Sequence, residues 1–215
     1  MQSKINYQLE TDRLLKALPT DRVPVLFLHA CCAPCSSYVL EYLSQYFAIT
    51  LFFYNPNIAP EEEYLHRKAE LKRLVQTMPL SHPVTILDGD YAPERFYALA
   101  KGLEQEPERG ARCQKCIGHR LEESFRAAAM QTPAPDFVCT TLTISPHKDA
   151  VWINTRGAEL AQQSGIPWLY TDFKKKGGYQ RSIALSREYD LYRQNFCGCV
   201  YSRLEAERRE QQHNS

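Results

Sequence analysis

The chain has 215 residues, 44% of them hydrophobic and 24% charged, with a net charge of +1. That is an ordinary globular composition, long enough to bury a full core without disulfide staples. No apolar run approaches the roughly 20 residues needed to cross a bilayer, and a polyanionic partner would have to meet a local basic patch rather than a global field.

The polar start Met1-Gln2-Ser3-Lys4 lacks an apolar signal core, so a cytoplasmic protein with no membrane contact is expected. Residues 6–18 carry Leu9, Leu14, Leu15 and Leu18 at helical spacing and end at Pro19, which predicts a short N-terminal helix. Residues 23–30 read as a buried strand that feeds a tight turn and a helix over 36–45. A second buried strand, 48–54, is followed by a loop and a long helix over 61–76 with acidic residues in its first turn. A strand at 83–87 and a helix at 93–103 come next. After a polar break, a cysteine-bearing helical segment runs through 104–130. A strand at 137–142, a helix at 150–164 closed by Gly165, and a strand at 168–172 follow. Residues 173–181 form a basic, flexible loop, 183–193 a helix, and 206–215 a frayed charged tail.

Strands alternate with helices about five times, which predicts one α/β domain with a parallel sheet and helices on both faces. The strands are continuously apolar, as strands buried on both sides are.

Eight cysteines in a reducing compartment are not read as structural disulfides. Seven of them cluster: Cys31, Cys32 and Cys35; Cys113 and Cys116; Cys197 and Cys199. Cys139 stands alone in a strand and is most simply a core residue. The first trio sits at the carboxyl end of a strand, where open α/β sheets place ligands, and at a helix N-terminus, whose positive end lowers thiol pKa values. Clustering points to a metal site or a thiol redox centre. On spacing alone a [4Fe–4S] cluster, a structural zinc and thioredoxin-like chemistry at Cys32-Ala33-Pro34-Cys35 all stay open. Adjacent Cys31 and Cys32, expected to aim in different directions, argue against a simple zinc knuckle.

Cys197-Gly198-Cys199 can close a small strained ring that is easily reduced, or supply two free thiols. The run Lys174-Lys175-Lys176-Gly177-Gly178-Tyr179-Gln180-Arg181 could grip phosphates with Tyr179 as a stacking face, or be a solvated turn. Asp88 and Asp90 are site residues or turn formers, His29 a core histidine or proton donor, and Asp149 a helix N-cap.

Six stretches in register resemble the cobalamin-independent epoxyqueuosine reductases of the QueH type. They are Leu28-His29-Ala30-Cys31-Cys32-Ala33-Pro34-Cys35-Ser36; Phe53-Tyr54-Asn55-Pro56-Asn57-Ile58 with Pro60, Glu63 and Tyr64; Arg112-Cys113 with Cys116; Phe137 with Thr141, Leu142 and Ile144-Ser145-Pro146-His147-Lys148; Lys174-Lys175 with Gly177-Gly178-Tyr179-Gln180-Arg181-Ser182; and Tyr192-Arg193-Gln194 with Phe196-Cys197-Gly198-Cys199-Val200-Tyr201-Ser202. The resemblance implies a Rossmann-like sheet related to the adenine-nucleotide hydrolases. It implies reduction of the epoxide on a modified tRNA wobble base to an alkene, with a [4Fe–4S] cluster and a nearby mononuclear iron. On carry-over, Cys31, Cys32, Cys113 and Cys116 match the cluster ligands, Cys35 the adjacent iron, and Cys197 and Cys199 a redox-active pair. A tRNA partner would give Lys174, Lys175, Lys176 and Arg181 phosphates to contact, with Tyr179 on a base or in the pocket. Tyr38, His147, Asp149 and Tyr179 are candidate proton donors, and an electron donor of unspecified identity is required. Two rivals are a zinc-stabilised RNA-binding protein and an ATP-dependent tRNA-thiolating enzyme. The latter needs a Gly-rich phosphate loop where this chain has Cys31-Cys32-Ala33-Pro34-Cys35.

Overall fold

The computed structural model describes residues 5–213; the polar start 1–4 and the last two residues of the expected frayed tail lie outside them. Four strands, β1 (Val25–His29), β2 (Ala48–Phe53), β3 (Val84–Asp88) and β4 (Phe137–Thr140), form one sheet in the order β3-β2-β1-β4. Every pairing is parallel, with Leu28 opposite Leu51 on one side and Cys139 on the other.

Parallel strands need covered faces, and the side-chain alternation divides this core in two. Leu26, Leu28, Leu51, Phe53 and Cys139 point to one face. There they meet α2 (Ala33–Leu43), α3 (Glu61–Thr77) and α7 (Gly178–Glu188) through Leu40, Leu71, Leu74 and Leu185. Phe27, Phe52 and Val138 point to the other, against α5 (Ala111–Ala129) and α6 (Ala150–Ser164) through Leu121, Phe125 and Ile153. Each fully buried Leu or Phe of these stripes contributes about 1.5–3 kcal/mol. Cys139 is a buried core thiol, as expected. The remaining helices are α1 (Tyr7–Lys16), capped by Asn6, the short α4 (Pro93–Ala100), and α8 (Val200–His213).

The structure departs from the sequence expectations at three elements. The strand expected at 168–172 is a single bridge between Val138 and Trp168. Beyond it, the buried Asn154 side chain accepts from Thr171 N and donates to Thr171 O, which takes the groups a ladder would use. The helix expected at 183–193 starts five residues earlier. Gly177 sits left-handed at its N-cap with φ 75°. At Gly178, a Cβ would fall 2.0 Å from the Phe173 carbonyl, so only glycine lets the helix begin there. The tail expected to fray is helical to His213, held by buried Ala206 and by the Arg203–Glu207 pair one turn apart.

Candidate metal centre

β1 delivers the chain into the crevice between the carboxyl ends of β1 and β4, where the strand order reverses and open sheets bind ligands. Cys32 is the extended N-cap of α2, and Pro34 occupies its first turn, where a missing N–H costs nothing. The turn folds Cys35 back over Cys32, so the sulfurs of Cys31, Cys32 and Cys35 all lie within 4.8 Å of one another. Adjacent Cys31 and Cys32 do not diverge as expected: extended backbone at Cys32 leaves their sulfurs 3.8 Å apart. From the β4 side, Thr141 accepts the Cys31 N–H and donates to its sulfur.

The three thiols share their protons unequally. Cys31 and Cys35 donate to Cys32, which holds the Cys32 thiol well below its ordinary pKa, helped by the Arg67 cation. Donating to Cys32 pushes Cys31 up to about 12, and donating to Cys31 and to Cys32 raises Cys35. Three sulfurs this close can all bind a soft metal once their protons are displaced.

Cys113 lies in the first turn of α5, its sulfur accepting from Arg109 N, and Cys116 follows one turn on. Cys199 sits just before α8, its sulfur accepting from Ser202 N. Cys113, Cys116, Cys197 and Cys199 line one small pocket of about 10 Å³. Cys197 also faces a cavity of about 570 Å³ shared with Cys31, Cys32, Cys35, Lys148 and Tyr179. It thus joins the two thiol groups. All eight cysteines are free thiols.

Three cations that sequence reasoning missed surround these sulfurs. Arg120 is 1% exposed and donates to Asn55 Oδ1, while its Nε has no hydrogen-bond partner among the described residues. Burial works against its charge, yet the thiols of Cys116, Cys197, Cys31 and Cys113 hold its pKa above the ordinary value. Arg67 pairs with Glu63 and donates to Cys197 O at 3.0 Å, leaving Nη2 unpartnered among the described residues. Lys148, with a side chain 7% exposed, pairs with Glu108 at 3.1 Å. Burial would push the Cys197 thiol up, but Lys148 and Arg120 outweigh it, and the net shift is downward. Of these, Arg120 was legible in principle, since it stands one helical turn beyond Cys116 on the same face.

The other sequence candidates fall in several places. Of the basic loop, Tyr179 alone lines the large cavity. Lys174 pairs with Asp172, Lys176 with Asp12, and Arg181 with Glu41, while Lys175 is exposed. His147 lines the large cavity and a neighbouring one of about 290 Å³. Asp149 caps α6, as expected, accepting from Val151 and Trp152 N. Tyr38 stacks on Tyr42 and packs against Gly178. His29 is a satisfied core histidine between Thr140 Oγ1 and Tyr54 O, held neutral by burial with its pKa lowered to about 3. Asp88 is an ion-pair partner of Lys68 and Lys72, and Asp90 is exposed.

A family model described as "Epoxyqueuosine reductase QueH" matches residues 26–205. Among curated proteins, the chain is 40% identical over 202 residues to the epoxyqueuosine reductase QueH of Streptococcus pyogenes serotype M1, covering 93% of this chain and 78% of that protein. It is 38% identical over 206 residues to the protein of that name from Staphylococcus epidermidis, covering 94% and 86%. To the one from Thermotoga maritima it is 33% identical over 186 residues, covering 84% and 91%.

Proposed function

The chain belongs to the epoxyqueuosine reductase QueH family, and from that premise we propose that it removes the epoxide oxygen of epoxyqueuosine at the wobble position of a tRNA, leaving the alkene of queuosine. The observation that carries the reading is the single cavity lined by both the Cys31, Cys32, Cys35 trio and Cys197.

The reaction consumes two electrons and two protons, breaks both C–O bonds of the ring, forms the alkene and releases water. The sulfurs of Cys31, Cys32 and Cys35, within 4.8 Å of one another, fit a thiolate-bound metal group. Cys31, Cys32, Cys113 and Cys116 would hold a [4Fe–4S] cluster, and Cys35 would hold an adjacent iron. Buried Arg120 and Arg67, each with an unpartnered nitrogen, offset the negative charge that several thiolates bring into a dry site. Bound there, the group supplies single electrons and a Lewis-acidic iron. The Cys197 and Cys199 thiols supply the stoichiometric pair: their oxidation to a disulfide yields two electrons and two protons, and an external reductant restores them. Arg67, bonded to Cys197 O, and Gly198, whose carbonyl accepts from Ala59 N, fix that segment at the cavity wall.

From the cavity wall, Tyr179 offers an aromatic face to the modified base. Lys175 is open to a phosphate, and Lys174, Lys176 and Arg181 reach one by exchanging their surface acid partners, a swap of small net cost. No helix among the described residues is long and apolar enough to cross a membrane, and a tRNA substrate places the enzyme in the cytoplasm.

The test is iron, zinc and acid-labile sulfide content of anaerobically purified protein, with a visible spectrum before and after dithionite. About four sulfides and four to five irons per chain, with a band that bleaches on reduction, supports the reading. One zinc, no sulfide and no colour after reconstitution contradicts it.

A further inference from the structure

Among the described residues, Lys148 is the one side chain that lines the large cavity, its 290 Å³ neighbour and the small four-cysteine pocket together. A buried lysine at such a junction is costly unless the fold needs it there. The fold holds it firmly. Lys148 closes the Ser145-Pro146-His147 turn, its N–H donating to Ser145 O at 3.2 Å, directly before the Asp149 cap of α6. Its partner Glu108 comes from a loop that buried Arg112 clamps by donating to the carbonyls of Leu103, Glu104 and Glu106. Two distant segments are thus fastened so that one ammonium stands beside Cys197.

We propose that Lys148 is the proton donor to the departing epoxide oxygen, a step that rests on the reductase reading above. Lys148 and Cys197 line the same two pockets, so the proton that Cys197 releases on oxidation can replace the one Lys148 gives up. When Cys197 and Cys199 are oxidised to the disulfide, two electrons pass to the substrate and both C–O bonds break. Lys148 gives its proton to the oxygen, the second comes from the Cys199 thiol, and water leaves. His147 serves this step less well: it is exposed, and its Nδ1 faces Arg109.

The experiment compares wild type, Lys148→Ala and Lys148→Arg, each reconstituted anaerobically, on tRNA carrying epoxyqueuosine with dithionite as reductant. Iron content, visible spectrum and tRNA affinity are recorded beside turnover. Lys148→Ala is expected to keep its iron and its tRNA affinity and to lose about 100-fold or more in turnover. Ethylamine should restore part of that loss. Lys148→Arg, which keeps the charge but holds its protons, should stay slow. Full turnover in Lys148→Ala, full turnover in Lys148→Arg, or iron lost in step with activity and no amine rescue would each overturn the proposal. Wild type that leaves the epoxide untouched would instead overturn the reductase reading on which it rests.

Discussion

Gly198 separates the two cysteines proposed as the electron pair, and its replacement by alanine isolates what their placement is worth. Its φ of 126° lies where an L-residue is strained, a cost of about 1–3 kcal/mol. The new Cβ would stand 2.9 Å from Ile58 Cγ1 and 3.1 Å from Arg67 Nη1. Ile58 is buried and Arg67 is tied to Glu63, so neither swings away freely. Overpacking of this kind adds about 1–3 kcal/mol. Relief requires the 197–199 segment to move, which breaks the bonds from Ala59 N and Arg67 Nη1. Gly198→Ala is therefore expected to cost roughly 2–6 kcal/mol in all. With a urea m-value of about 2–3 kcal/mol/M, the unfolding midpoint falls by about 0.7–3 M if the cost is felt globally. If the segment releases locally first, the midpoint falls less and turnover falls more. In either case turnover should drop at least about tenfold while iron content holds, because Cys197 leaves the cavity wall. An unchanged midpoint together with full turnover would refute the claim that only glycine fits.

Cys35→Ser should lower iron by about one per chain and leave sulfide unchanged, which metal and sulfide analysis reads; loss of all sulfide would place Cys35 among the cluster ligands instead. Arg120→Met removes a buried cation from among the thiols, so the reduction potential of the bound group should fall by on the order of 100 mV in an anaerobic redox titration. The same change orphans Asn55 Oδ1 and should cost about 1–3 kcal/mol of stability in urea denaturation. Replacing Lys174, Lys175 and Lys176 together by alanine should weaken tRNA binding and reduce the slope of its salt dependence by about one for each phosphate no longer neutralised. Unaltered binding at low salt would move the tRNA surface elsewhere.

The strand-to-helix turn bearing Cys31, Cys32 and Cys35 was legible because an unbroken apolar run and Pro34 leave few alternatives, and the parallel sheet followed from continuously apolar strands. The start of α7 was not, because Gly177-Gly178 reads as a break, whereas one glycine caps the helix and the other admits the Phe173 carbonyl. The helical α8 was hidden by its charge, since its buried anchors are two small residues, Ser202 and Ala206. The buried cations were least visible. Composition places arginine and lysine outside, and the Lys148–Glu108 pair joins positions far apart in the chain. Nothing local announces that Arg67 and Arg112 are buried, and Arg120 is signalled only by its place one turn after Cys116.

Mass analysis of the nucleosides of a tRNA carrying epoxyqueuosine, digested after incubation with iron-loaded, reduced protein, tests the central claim most directly. Reductive deoxygenation predicts that the epoxide nucleoside is replaced, mole for mole, by one lighter by a single oxygen atom, only when reductant is present. An untouched epoxide, or a nucleoside heavier by one water, would contradict reductive removal of the oxygen.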